Sequence, residues 1–479
     1  MVTLIFVTQT SCTDDILLES NEVLENEVNR FVWQGMNLYY FWQSEVPNLS
    51  DERFRTTEEL TSFLNRFPTP EGLFNTLLFQ EDRFSWIVDD YIALDNAFQG
   101  VSKSFGYEFK LLRVSSASNE LFGYVEYVIP DSPAGVAGLK RGDIFTEVNG
   151  QVLTLENYVS LIIESDNYTL TLANFRSSEL LTSNTEVPLT AVELVENPIL
   201  LSKTLEVGNV RVGYLVYNQF INNNVAHIEL NNVFQSFIQD EVSELVLDLR
   251  YNPGGSLFTC RLLASMIYGE ANENTVLGSL IFNDKVSDLN TDFSFLSDIP
   301  IDSSSVEMNR LNIDRVFVLT TESTASASEL IIAGLIPYMD VVVIGDQTTG
   351  KNESSITLYD SPEVAYSSNE PGDVNPNHRY AMQPIVSKLT NSEFLDYSSG
   401  LIPSVVLIES DFFDDLQPLG DVEETLLKEA LLIISGTARE QKEWPVVNKG
   451  EVVYDSRNKA LLQTTFLSQE EAQQLLKFQ

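Results

Sequence analysis

The stretch from Val316 to Lys351, VFVLTTESTASASELIIAGLIPYMDVVVIGDQTTGK, constrains the fold more than any other part of the chain. Residues 316–320 form a short apolar run bounded by a Ser/Thr-rich turn, the pattern of a buried strand. An apolar helix is expected to begin near Ser326, and residues 341–344 read as a second buried strand whose following turn presents Lys351. Strand, helix and strand in succession, repeated upstream by residues 213–220, a helix near 228–238 and residues 244–249, predict an α/β core.

Ser326 and Lys351 are candidates for a nucleophile and its base. A serine hydroxyl attacks poorly until its proton is removed, and an amine removes it only if burial lowers its pKa from about 10.4 toward about 7–8. A turn behind a hydrophobic strand supplies such a setting. A helix starting at Ser326 also points unpaired N–H groups at any anion formed beside it.

Two plainer readings compete. Ser326 to Glu329 fits the S-x-x-E capping box, in which the serine only satisfies a helix N–H, and Lys351 alone is an ordinary turn residue. The run Gly345 to Lys351 also fits the start of a phosphate-binding loop. That loop is rejected, because Asn352 stands where a metal-binding Ser/Thr belongs and residues 354–360 alternate like a strand.

The segment TASASELIIAGL, the 25-residue interval between Ser326 and Lys351, and the upstream LDLRYNPGG (residues 247–255) resemble the C-terminal processing peptidase family of tail-specific serine proteases. The resemblance implies Ser326 as nucleophile and Lys351 as base, with backbone N–H groups of Gly254 or Gly255 and of Ala327 as an oxyanion hole. The family often carries a glutamine four residues after the lysine. This chain has Ser355 there, which makes Ser355 the candidate for a third catalytic position. Asn252 to Gly255 read alone is a glycine-rich structural turn. Asp248 ends an apolar strand like a magnesium-binding aspartate, but without a phosphate loop it is expected to be structural, pairing Arg250 or a backbone amide.

The resemblance also orders the chain. Residues 1–20 are expected to be a lipoprotein signal remnant and linker, 21–100 a helical N-terminal region, 101–190 a PDZ domain, 191–440 the catalytic domain and 441–479 a tail with a last amphipathic helix near 470–478. The PDZ assignment rests on SPAGVAGLKRGDIF (residues 132–145) and Asn149-Gly150, which resemble the bacterial form of that small β-rich domain. Such domains take a peptide by adding it to a sheet edge, here implicating Phe105, Gly106 and Tyr107, with residues 155–162 as the opposite wall. The catalytic domain resembles the ββα units of the Clp protease and crotonase superfamily. Residues 283–305, rich in Asn, Asp and Ser, are expected to be a surface loop or an insertion.

Charge and rare residues narrow the chemistry. With 28 basic and 70 acidic residues, a net charge of −42 repels nucleic acid and anionic headgroups. Only His227 and His378 occur, so a multi-histidine metal centre is excluded, and a serine–histidine triad would have to recruit one of these two. Neither metal nor cofactor is called for. Cys260 reads as a buried small hydrophobe. Cys12 follows a short apolar run and precedes two acids, which resembles a bacterial lipoprotein signal of the Bacteroidetes type.

Together these features predict an exported, lipid-anchored serine endopeptidase, periplasmic or surface-exposed at the outer membrane, that acts on proteins with unstructured C-terminal tails. The alternative is an inactive peptide- or ligand-binding scaffold of the same fold.

Overall fold

The structure is a computed structural model and describes residues 13–176, 179–301, 304–437, 451–457 and 465–476. Cys12 lies outside these residues. Its centre is a six-stranded sheet in the order Ile199–Val207, Val210–Tyr217, Glu244–Asp248, Arg315–Thr320, Asp340–Gly345, Val405–Val406, parallel throughout except for the first hairpin. Successive residues of a strand face opposite ways, and both faces of this sheet are covered. Val316 and Val318 point into a core shared with the helices Asn224–Gln239, Leu257–Ile267 and Ala327–Leu335. Phe317 and Leu319 point into a second core against the helix Thr425–Ile434.

The helix Ala327–Leu335 is buried along its whole length, and from Leu330 onward its sequence is apolar on every side. Beyond it lies a second six-stranded sheet, ordered Gly255–Ser256, Thr465–Phe466, Glu353–Ser355, Ile385–Asn391, Val276–Phe282, Thr291–Ser294. This is the expected α/β arrangement.

A separate small sheet has the order Val452–Asp455, Tyr107–Arg113, Leu121–Val128, Ile144–Val148, Asn167–Arg176, Glu179–Thr190. It closes over its own core of Phe109, Leu111, Phe145, Val148, Leu170 and Leu189. Ser132 caps the short helix Pro133–Val136 by accepting the Gly135 N–H. Asn149 and Gly150 both have positive φ, 53° and 72°, as a two-residue hairpin turn requires.

The N-terminal helix Thr13–Tyr39 and the helices Thr57–Leu64 and Pro70–Thr76 share one continuous core with the central domain through Phe31, Met36, Leu73, Phe74 and Met382. The strand Trp86–Val88 extends that contact by pairing antiparallel with Ala381–Gln383.

The expectation of a surface loop over residues 283–305 does not hold. The segment folds as the 3₁₀ helix Asp284–Leu289 followed by the strands Thr291–Ser294, Asp298–Ile301 and Ser304–Glu307. Its polar residues alternate with Phe293, Phe295 and Ile299, which are buried in the main core. The Asn/Asp/Ser content hid that alternation.

Candidate active site

Three turns converge at the end of the central sheet. The first follows the strand Arg315–Thr320 and carries Ser326, which is fully buried and held at φ 62°, ψ −114°. A side chain at positive φ is strained by about 1–3 kcal/mol and persists only where its surroundings impose it. Here the constraint comes from both flanks. Asn252 uses its backbone carbonyl to accept the Ala325 N–H at 3.2 Å and the Ser328 hydroxyl at 2.9 Å.

The second turn carries Lys351, and one carboxylate joins it to the first. Glu329 Oε2 accepts the Ser326 N–H and the Lys351 N–H, each at 2.8 Å. Its Oε1 accepts the Gly350 N–H at 2.7 Å and the Thr348 hydroxyl at 2.5 Å. Burial pushes the Glu329 carboxyl up, while these four donors pull it back. The glutamate of the capping box thus forms its expected bond to the Ser326 backbone and also fixes the turn that bears the lysine.

Lys351 is itself fully buried, with Nζ 4.7 Å from the Phe84 ring centroid. Burial lowers its amine to about 7, against the opposing pull of Glu353, Asp82 and Glu329. That is the range a general base requires at neutral pH. The histidines have other partners. His227 Nε2 lies 3.0 Å from Thr259 Oγ1, with burial lowering its pKa to about 4, and His378 Nε2 lies 3.0 Å from Asp360 Oδ2.

The third turn, Asn252 to Gly255, separates the two glycine candidates. The Gly254 N–H is donated to Asn252 Oδ1 at 2.9 Å, so its place as an oxyanion donor is not supported by this geometry. Gly255 has φ 135°, and a Cβ there would sit 2.4 Å from the Phe220 carbonyl oxygen, so only glycine fits. Ala327 is the first residue of its helix, where N–H groups have no partner within the helix. As expected, Asp248 pairs with Arg250 at 2.8 Å, and Arg250 also reaches Glu409 and Glu424.

Ser355 lies in the strand Glu353–Ser355. Its Oγ accepts an amide hydrogen of Gln383 at 2.9 Å and donates to the Thr465 carbonyl at 3.3 Å. A glutamine therefore does stand beside the position four residues after the lysine, delivered from another strand. Four contributors escaped sequence reading: Gln383, Phe84, Thr465 and the second role of Glu329. Only the capping-box spacing of Glu329 gave a signal.

In the small sheet, Gly106 has φ 81°, and a Cβ on it would lie 2.1 Å from Ser132 Cβ. Its carbonyl accepts the Ile129 N–H and the Ser132 hydroxyl. The Tyr107 hydroxyl is 2.7 Å from that of Tyr168, and Phe105 packs on the Tyr168 ring. The Cys260 thiol is buried 3.3 Å from the Ala327 carbonyl, and burial pushes its pKa up, as suits an inert thiol.

Family models match three parts of the sequence: Peptidase family S41 over residues 211–379, the Peptidase S41 N-terminal domain over 27–86 and a PDZ domain over 124–173. Two of these three models, over residues 27–86 and 211–379, are of peptidase family S41. Its PDZ match lies within the small sheet, and the S41 match contains both Ser326 and Lys351. A CtpA-like serine protease of Staphylococcus haemolyticus is 26% identical over 227 residues, and one of Staphylococcus aureus is 26% identical over 223. These alignments cover 46% of this chain and 40% of each relative, so the chain spans about two fifths of the length of those relatives. The crystal structure of an S41 protease from Bacteroides fragilis superposes with a TM-score of 0.66 at 27% identity, covering 85% of this chain and 97% of that one.

Proposed function

We propose that the chain is a serine endopeptidase in which Ser326 is the nucleophile and Lys351 the general base. One observation carries this reading: a strained, buried serine at a helix start is tied through Glu329 to a buried lysine whose amine is lowered to about 7. Lys351 takes the Ser326 proton as Oγ attacks the scissile carbonyl, then returns it to the leaving amine. Water releases the acyl-enzyme. Gly255 and Ala327 N–H groups receive the developing oxyanion, a contribution typically worth ~10²–10³ in rate. The PDZ unit engages an unstructured protein tail through the edge that follows Phe105, Gly106 and Tyr107, and Cys12 carries a lipid that places the enzyme at the outer membrane.

The test is covalent labelling by a fluorophosphonate probe across a pH series, with cleavage of unstructured peptides alongside. Labelling that requires both Ser326 and Lys351 and rises through about pH 7 supports the reading. Full labelling of Lys351→Ala would overturn it.

A further inference from the structure

Two described parts of the tail, residues 451–457 and 465–476, occupy the places where an extended polypeptide would have to bind. The strand Val452–Asp455 pairs antiparallel with Tyr107–Arg113, the edge strand of the PDZ unit, with Val452 opposite Leu112 and Asp455 opposite Lys110. Ser456 continues the pairing with two bonds to Phe109, one from its own N–H at 3.0 Å and one to its Oγ at 2.9 Å. Tyr454 packs against Phe109 and Tyr158, so it lies between the edge strand and the opposite wall. Further on, Thr465–Phe466 inserts between Gly255–Ser256, from the oxyanion turn, and Glu353–Ser355, which follows the base, and runs parallel to both.

This second strand closes the nucleophile. The Ser326 hydroxyl is hydrogen-bonded to the Thr465 hydroxyl, while the Thr465 carbonyl is held by Ser355 Oγ. The Thr465 side chain thus caps the nucleophile's hydroxyl. The flanking side chains are seated firmly: Phe466 stacks on Phe98 at 4.2 Å and 20°, and Leu467 enters the main core. At the end of the first strand, Asp455 accepts the Ser323 hydroxyl at 2.5 Å and pairs with Lys110 at 3.1 Å. Arg457, 1% exposed, donates to the carbonyls of Tyr251 and Asn218.

We infer that the strands Val452–Asp455 and Thr465–Phe466 form a built-in plug that holds the catalytic centre closed until an unstructured polypeptide displaces it from the two sheet edges. The inference rests on the reading of Ser326 as nucleophile. Strand pairing uses backbone groups that every polypeptide carries, so another extended chain can take these edges. The buried Asp455 and Arg457 contacts are specific to this segment and set the threshold for displacement.

The experiment has two arms, both on the full chain. In Ser326→Ala protein, hydrogen exchange over residues 451–457 and 465–476 is measured with and without reduced, carboxymethylated lactalbumin as the unfolded probe. Protection that falls when the probe is added supports displacement, and unchanged protection overturns it. In active protein, Leu112→Cys with Val452→Cys places a disulfide across the register pair. Oxidation should slow cleavage at least tenfold and reduction should restore it, while Thr465→Ala should raise fluorophosphonate labelling severalfold. Equal rates in the locked, reduced and Thr465→Ala proteins overturn the plug. Absence of labelling in every variant, with exchange still responding to the probe, overturns the Ser326/Lys351 reading and leaves displacement standing.

Discussion

The centre of the Phe84 ring lies 4.7 Å from the side-chain nitrogen of Lys351, and the ring comes from the N-terminal region, some distance in sequence from the turns that carry Ser326 and Lys351. Removing that ring opens the amine to water, and hydration favours its charged form. The Lys351 amine is lowered to about 7 by burial, so its basic form is populated as pH rises through 7. Phe84→Ala is therefore expected to move the midpoint of the labelling profile upward by about one unit, with roughly tenfold less reaction at neutral pH and little loss at high pH. Fluorophosphonate labelling from pH 5 to 10 checks this, and an unshifted midpoint would show that other groups desolvate the lysine.

Ser326 is strained at φ 62°, and this separates two substitutions that both remove its hydroxyl. Ser326→Gly relieves the backbone and Ser326→Ala does not. Both should be inactive, yet the glycine variant should be the more stable of the two by about 1 kcal/mol. Denaturant titrations of the pair provide the comparison, and equal midpoints would contradict strain at Ser326.

Glu329 accepts four hydrogen bonds and holds the backbones of Ser326 and Lys351 on a single oxygen. Glu329→Gln puts an NH₂ where two of these donors now point, leaving buried groups unmatched at a cost of about 1–3 kcal/mol. As a positioning residue it should lower kcat by one to two orders of magnitude with KM nearly unchanged. A rise in KM alone would assign it to substrate binding.

Gly255→Ala brings a Cβ within 2.4 Å of the Phe220 carbonyl oxygen, so the turn proposed to receive the oxyanion must shift. Peptide cleavage is expected to fall ~10²–10³-fold, the usual consequence of losing one such donor. Gly254 already donates its N–H to Asn252. Asn252→Ala frees that N–H but also loses the Asn252 side-chain bond to the Tyr217 carbonyl, and it should cost stability more than turnover. Thermal melts beside kinetics on the two variants separate these effects.

The α/β core was legible because its strands are short apolar runs and its crossover helix is apolar on every side from Leu330 onward, patterns that survive without knowledge of partners. Ser326, Lys351 and Glu329 lie within one such stretch, and the unpaired N–H of a helix start follows from local geometry. Phe84 and Gln383 were not legible, since an aromatic in a helical region and a glutamine in a strand look the same whether they face a lysine, a serine or ordinary core. Residues 283–305 were misread as a loop because their polar content masked Phe293, Phe295 and Ile299.

By itself, then, the sequence determined the strand, helix and strand of residues 316–344, the small-sheet turns at Ser132 and Asn149-Gly150, and the placing of Ser326 at a helix start and Lys351 after the next strand. Each of these is written in contacts between near neighbours. The tertiary structure alone decided that the Phe84 ring packs on a buried Lys351, that Gly254 spends its N–H on Asn252, and that Thr465 comes to rest against Ser326, 139 residues apart in the chain. Burial and strand pairing between distant segments depend on how whole sheets stack, and no local pattern encodes which edge a distant strand will find.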